Sequence, residues 1–411
     1  MVNRLTIAMV AVLASVFSMD ALAAFGRTAG TFAVSPKGSA QYTIPIWTPP
    51  GVRGVQPNLA LVYDSQSSYG LMGPGWILSG LSTISRCNRT YAQDGTPAPV
   101  TLTYADAFCL DGNRLRLTSS EVLSTYGQAG TTYQTEIANF SNVIASSTLA
   151  GNGPSYFTVK GKNGWTYEYG NTTDSKFLPA VGAATPYAWA LDKVTDRAGS
   201  TMTITYDPTK SYVPLNINYT APSGSTSFPY QVTFGYSTLQ SAANIISKYI
   251  AGNLIQQTQQ LSSITATSSG TTVRKYNLTY TTSSATLRAT LTSIQECGGS
   301  AGTDCLPATS VGYQYGTAGV AYPTTATGSG ANIGTVYSAD IDGDGQQDLI
   351  FATANGNNFD WWVQLATKNN LGSGYGTPIP TSASTTSTPT ILIGDFATTG
   401  HNEILAVANN T

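Results

Sequence analysis

Beyond residue 23 the chain holds no long segment of helical periodicity. Its apolar runs alternate with polar residues and are cut short by Gly, Pro, Asn and Ser. Alternation puts every second side chain on one face, which is the period of a strand and not of a helix. Residues 156–160 and 165–169 flank Gly161-Lys162-Asn163-Gly164 and read as a hairpin turned on Asn-Gly. Residues 202–206, 232–236 and 275–280 alternate in the same way. The best helical candidate is short, 239–250, where Leu239 is followed by Ala242, Ala243 and Ile246. A loose repeat is also visible. Leu261-Ser262-Ser263-Ile264 recurs as Leu291-Thr292-Ser293-Ile294, with Ala190-Leu191-Asp192-Lys193-Val194 as a distant relative. Each lies near a strand ending in Tyr, which points to hairpins laid side by side. The fold class is mainly β.

Composition agrees. Charged residues are only 10%, against about 25% in ordinary soluble domains. Ser, Thr, Gly, Asn and Tyr take their place, as suits exposed sheet and turns. The net charge of −2 excludes a basic field that would hold nucleic acid or anionic lipid. With 411 residues there is room for about two or three domains.

The N-terminus reads as a Sec-type signal peptide over 1–23. Arg4 gives a positive start, residues 5–17 are apolar but too short to span a bilayer, and Ala21-Leu22-Ala23 fits a cleavage site. An exported chain with four cysteines favours disulfides. The expected pairs are Cys87 with Cys109 and, across a short flexible loop, Cys297 with Cys305; free thiols are the alternative. No CxxC spacing supports a zinc site.

The most specific chemical signal is Asp340-Ile341-Asp342-Gly343-Asp344-Gly345-Gln346-Gln347-Asp348, followed at once by Leu349 and Ile350. Alternating carboxylates in a glycine-containing turn suit a hard cation that takes six to eight oxygens. The expected Ca2+ ligands are the side chains of Asp340, Asp342, Asp344 and Asp348 with the carbonyl of Gln346. Strands on both sides distinguish the loop from an EF-hand. Further along, Asp395-Phe396-Ala397-Thr398-Thr399-Gly400-His401-Asn402-Glu403 keeps the frame: Asp395 matches Asp340, Gly400 matches Gly345 and Glu403 matches Asp348. It lacks the middle aspartates, so weak or no metal binding is expected there.

The first copy resembles the FG-GAP/VCBS repeat, which builds propeller blades in integrin-like and bacterial surface proteins. A propeller closes with about four or more blades. One and a half units therefore imply an incomplete propeller, continued in a longer product or completed by a partner. The 318–334 stretch, rich in Gly, Thr, Ser and Ala, reads as a linker. The predicted organisation is signal peptide 1–23, a hairpin-rich domain 24–317, linker 318–334 and partial propeller 335–411.

Upstream, Gly38–Ile46, Pro57-Asn58-Leu59-Ala60-Leu61-Val62-Tyr63-Asp64-Ser65 and Gly73-Pro74-Gly75-Trp76-Ile77-Leu78-Ser79-Gly80-Leu81-Ser82-Thr83-Ile84-Ser85-Arg86 resemble the N-terminal domain of the SpvB/TcdB family. Phe108-Cys109-Leu110-Asp111-Gly112, Trp189-Ala190-Leu191 and Cys305-Leu306-Pro307-Ala308-Thr309 continue the pattern. That resemblance implies a non-catalytic, β-rich scaffold whose partners are other toxin-complex components or a downstream Rhs region. It does not carry over the family's toxic activities, which lie in separate domains.

Catalytic chemistry is sparse. The chain has one histidine, His401, and lacks a phosphate loop or a GxSxG elbow. Asp106, Asp111, Glu136 and Asp192 read as turn or surface groups. Two other readings stay open: a cell-surface adhesin with a calcium-bound partial propeller, and an extracellular carbohydrate-active enzyme.

Overall fold

The computed structural model describes residues 26–239, 242–284, 286–314, 333–342, 347–366, 375–386, 390–394, 396 and 402–407. The predicted signal peptide, most of the predicted linker, and Asp344, Gln346, Asp395 and His401 lie outside them. Two compact units divide the chain, Met1–Tyr315 and Gly316–Thr411. The chain is mainly β, as the alternation predicts.

Unit 1 opens with β1 (Thr31–Val34), β2 (Ala40–Ile46) and β3 (Leu59–Asp64). A minimal pair, β4 (Tyr69–Gly70) and β5 (Gly73–Pro74), leads into β6 (Trp76–Ser79), which completes the antiparallel sheet β1-β2-β3-β6. One face of this sheet is apolar and buried, through Ile44, Ile46, Leu59, Leu61 and Trp76. Gly75 is required before Trp76. Its φ is +77°, and a Cβ there would stand 2.5 Å from the Tyr63 ring.

Eight strands then close a barrel: β7 (Thr83–Cys87), β8 (Ala107–Leu110), β9 (Asn113–Leu117), β10 (Thr132–Thr135), β11 (Asn142–Ala145), β12 (Phe157–Lys160), β13 (Thr166–Tyr169) and, after the short β14 (Lys176–Phe177), β15 (Ala188–Thr195). Strand β15 closes the ring on β7 through Ala188↔Ser85, Trp189↔Ile84 and Ala190↔Thr83. Phe108, Tyr133, Phe157 and Trp189 pack edge to face within the barrel core, the last two with centroids 5.0 Å apart. A disulfide joins Cys87 on β7 to Cys109 on β8.

Arg86 sits fully buried against this aromatic core, 5.5 Å from the Phe108 centroid and 5.7 Å from that of Trp189. It donates to Asp106 at 3.0 Å and to the carbonyls of Thr103, Asn152 and Pro186 at 2.7, 2.7 and 2.9 Å. Asp106 in turn accepts the N–H groups of Thr101 and Leu102 at 2.8 and 2.7 Å. One ion pair therefore ties three loops to the barrel. Burial lowers the Arg86 pKa from its ordinary value, and the Asp106 charge opposes that shift.

From β15 the sheet continues as an antiparallel meander: β16 (Thr201–Asp207), β17 (Val213–Ala221) and β18 (Tyr230–Thr238). A separate hairpin follows, β19 (Ile246–Ile250) with β20 (Asn253–Gln257). The meander then resumes with β21 (Gln259–Ser268), β22 (Thr271–Thr282) and β23 (Ala289–Gly298), edged by β24 (Asp304–Cys305) and β25 (Thr309–Ser310). A second disulfide, Cys297–Cys305, bridges β23 and β24.

The helical expectation for 239–250 is wrong. Among the described residues of this stretch, Ala242–Asn244 forms a single 3-10 turn and Ile246–Ile250 is a strand. Ala251 and Gly252, at φ 46° and 79°, make the two-residue turn that pairs Ile250 with Asn253. That turn matches strand twist, so cross-strand pairing overrides the weak helical spacing.

The meander repeats at the level of single atoms. The hydroxyls of Tyr206, Tyr236 and Tyr280 donate back to the carbonyls of Leu191, Pro214 and Leu261 on the preceding strand. Each tyrosine also marks a register shift, where it faces Pro214, Leu261 or Leu291 on the next strand. Leu191, Leu261 and Leu291 are buried, as are Val194, Ile217, Ile264 and Ile294 three residues beyond the start of each unit. Tyr313 holds the fourth position of the series, and its hydroxyl accepts from Trp76 Nε1 at 2.9 Å. Tyr219 and Tyr276 similarly bond the backbone at Pro49 and Trp47, so the first sheet is pinned to the meander. Their shared core is one apolar cluster.

Unit 2 contains a four-stranded antiparallel sheet, β26 (Ile333–Ala339), β27 (Asp348–Asn355), β28 (Asn358–Gln364) and β29 (Ile379–Thr385), and a hairpin, β30 (Thr390–Gly394) with β31 (Glu403–Val407). Its own core gathers Ile350, Ala352, Trp361, Val363 and Ile391.

Two substitutions test these assignments in unit 1. Tyr206→Phe removes a hydroxyl donor from the Leu191 carbonyl and should cost about 1 kcal/mol in urea unfolding; an unchanged midpoint would remove the tyrosine from the account. Arg86→Leu leaves the Asp106 charge buried and uncompensated, and should cost about 3–5 kcal/mol. A loss below that of Tyr206→Phe would show that the pair is not the tie described above.

Candidate functional site

The acidic loop springs from a strand pair that runs in continuous register from Val336↔Phe351 to the loop. Strand β26 ends at Ala339, which faces Asp348, the first residue of β27. The turn between them brings ligand oxygens of Asp340, Asp342 and Asp348 within 4.8 Å of one another. Asp348 is fully buried. Its two oxygens accept the N–H groups of Ile341 and Ala366, both at 2.7 Å. It therefore shapes the loop, while still holding lone pairs for an ion. Asp340 is half-buried and Asp342 exposed. Asp344 and Gln346, the other expected ligands, lie outside the described residues. The donor set present is all hard oxygen, which fits Ca2+ in chemistry.

The second copy has the same skeleton. Gly394 faces Glu403 as Ala339 faces Asp348. Glu403 accepts the N–H of Phe396 at 2.7 Å, the counterpart of the Asp348–Ile341 bond. The two copies touch: Asn402 Nδ2 donates to the Asp340 carbonyl at 2.8 Å. Asp395 and His401 are outside the described residues.

In unit 1 two of the carboxylates read from sequence as turn or surface groups are buried. Asp106 is buried under Arg86. Asp192, on β15, is also buried and accepts from Ser175 Oγ at 2.8 Å and from the N–H groups of Asn171 and Thr172. Burial pushes its carboxyl up to about 6, with those hydrogen bonds pulling the other way. The available signal was an acid directly after the apolar run Ala188-Trp189-Ala190-Leu191. Asp111 caps the start of β7, accepting from Ser82 Oγ and Thr83 N at 2.6 and 2.8 Å. Glu136 lines a cleft of about 780 Å³ with Arg89, Asp94, Tyr104, Arg114 and Arg116. Two ion pairs line this cleft, Arg114 with Asp94 at 2.8 Å and Arg116 with Glu136 at 3.7 Å.

Residues 34–219 match the family model of the Salmonella virulence plasmid 65kDa B protein, SpvB. No curated protein matches the sequence. Among solved structures, the crystal structure of TcdB2-TccC3 is similar at 16% identity and TM-score 0.58, covering 88% of this chain and 20% of that one. The Photorhabdus luminescens Tc holotoxin pore is similar at 16% identity and TM-score 0.58, covering 93% and 21%. The N-terminal domain of effector protein SpvB from Salmonella typhimurium strain LT2 is matched at 16% identity and TM-score 0.47, covering 62% and 99%. The chain thus spans about a fifth of the toxin-complex chains whose fold it shares. Over residues 34–219 the chain is thus similar to the SpvB family.

Proposed function

We propose that this chain is the N-terminal portion of a secreted, non-catalytic scaffold of the toxin-complex B type, with a calcium-braced blade of an FG-GAP/VCBS-type propeller. The observation that carries the reading is a combination. A segment similar to the SpvB family is followed, in one chain, by a second unit of repeated hairpins, and the fold of the whole is that of a toxin-complex chain. Its partner is a toxin-complex C component or an equivalent Rhs region. Two disulfides favour an oxidising compartment, in keeping with export by the signal peptide read at 1–23.

The non-catalytic reading is supported by what the buried charges do. Asp106 is occupied by Arg86 and two backbone N–H groups, and Asp192 by a serine and two backbone N–H groups. These bonds hold loops in place. For the ion, Asp340, Asp342 and Asp348 supply carboxylates, with Asp344 and the Gln346 carbonyl completing the set. Bound Ca2+ offsets the mutual repulsion of these groups and fixes the β26–β27 turn.

Two measurements test the proposal. Ca2+ should raise the melting temperature of the full chain, and Asp342→Ala with Asp344→Ala should abolish the rise; no calcium-dependent shift in the unmutated chain sinks the metal assignment. Mixed with a toxin-complex C component, the chain should co-elute as a stable complex. Independent elution from every such component tested would sink the scaffold assignment.

A further inference from the structure

The cleft of about 780 Å³ in unit 1 holds a positive charge that the protein leaves unmatched. Arg114 and Arg116 lie two residues apart on β9. Both leave the sheet on the side opposite Leu115, which is buried in the barrel core. The helical turn Tyr91–Asp94 and the segments holding Tyr104 and Leu123 line the rest. Every acid here is taken. Asp94 accepts from Arg114 at 2.8 Å, and Glu136 accepts from Gln93 Nε2 and pairs with Arg116 at 3.7 Å. Asp106 accepts four hydrogen bonds, from Arg86, from the N–H and hydroxyl of Thr101 and from the Leu102 N–H, which fills its lone pairs.

The cations are not all taken. Arg89 is half-buried, and its backbone is fixed by exchanging hydrogen bonds with Ala98 at 2.9 and 3.3 Å. Its guanidinium makes no ion pair or hydrogen bond among the described residues. Arg114 keeps its Nε–H buried without a partner. With Asp106 spent on Arg86, three arginines face two acids and one positive charge is left over. A cation partly withdrawn from water and a buried N–H without an acceptor are both costly. Beside them the lining is apolar and open: Leu123 is 84% exposed and Tyr104 38%. The Tyr104 ring is held in place. Its hydroxyl donates to the Gly151 carbonyl at 3.4 Å, and a Cβ on Gly127, where φ is +80°, would stand 3.3 Å from the ring.

We infer that this cleft binds a small organic acid with one carboxylate and an apolar, ring-sized body. The carboxylate pairs with the Arg89 guanidinium, whose planar fork of donors matches two carboxylate oxygens. The apolar body lies against Tyr104 and Leu123. One residual charge favours a monoanion over a phosphate dianion. The volume is that of a small-molecule site, about 300–1,000 Å³. The net charge of −2 on the whole chain gives no long-range attraction for anions, so recognition is a local match. The inference goes beyond the scaffold reading and depends on neither the calcium nor the toxin-complex assignment.

The test is isothermal titration calorimetry of the full chain with benzoate, cyclohexanecarboxylate and 2-naphthoate. At least one should bind saturably at a single site. Its amide, and 2-naphthyl phosphate, should each bind about tenfold more weakly or worse, since a hydrogen bond to a charged group is what separates them. Arg89→Gln should remove the preference for acid over amide and leave the affinity for the amide unchanged. Leu123→Ser should weaken acid and amide alike. Both variants should keep the circular dichroism and melting temperature of the unmutated chain. The inference is overturned if none of the three acids binds saturably, if the amide binds as tightly as its acid, or if the phosphate ester binds more tightly than 2-naphthoate. Full preference for the acid in folded Arg89→Gln overturns it as well. The comparison of acid with amide needs no variant, so it decides the matter even if Arg89→Gln does not fold.

Discussion

Strand β15 pairs with β7 over Ala188–Ala190 and with β13 and β16 over its second half, so one eight-residue backbone segment closes the barrel and begins the meander. The rest of unit 1 depends on that double duty. Buried N–H and C=O groups must all find partners, and at a fork the ladder alone cannot supply them. Side chains complete the set: Tyr206 donates to the Leu191 carbonyl, and Asp192 takes the N–H groups of Asn171 and Thr172. An acid buried in an apolar strand is costly unless its hydrogen bonds are made. Here they join the fork to the loop that precedes β14.

The tyrosine at the fork is the first of a series, and this explains how a meander of many strands keeps one register. A slip of one residue would turn each buried leucine and isoleucine outward. A tyrosine that hydrogen-bonds backward and marks a bulge forward locks each strand to both neighbours. The fourth tyrosine, Tyr313, meets Trp76 of the N-terminal sheet and so connects the end of unit 1 to its beginning. Unit 2 uses a different device for the same purpose. Its register is set at each loop by an acid, Asp348 or Glu403, that accepts an N–H from the turn it closes.

Much of this was legible in the residues. Strand period, Asn-Gly turns and the recurrence of Leu261–Ile264 as Leu291–Ile294 all describe local geometry, which short segments encode directly. The alignment of Asp340–Asp348 with Asp395–Glu403 was legible for the same reason, because a tight turn needs fixed residues at fixed offsets. Two readings failed where a neighbour decided the outcome. Residues 246–250 have spacing compatible with a helix turn, but the Ala251-Gly252 turn and the strand opposite draw them into a hairpin. Asp106 and Asp192 looked like surface acids because burial is not a property of the residue. They are inside because Arg86 and a set of backbone N–H groups are there to receive them.

By its pattern alone, then, the sequence determined strand period, turn positions, the low-charge surface, the acidic loop and the fact of repetition. Each depends on residues a few positions apart, whose steric and hydrogen-bonding preferences act without the rest of the chain. Tertiary structure alone decided that β15 serves two sheets and that Arg86 ties three loops to the barrel core. Those outcomes join segments distant in sequence. They are settled by which apolar faces can cover one another while leaving no backbone group unpaired, a condition that only the assembled chain can meet.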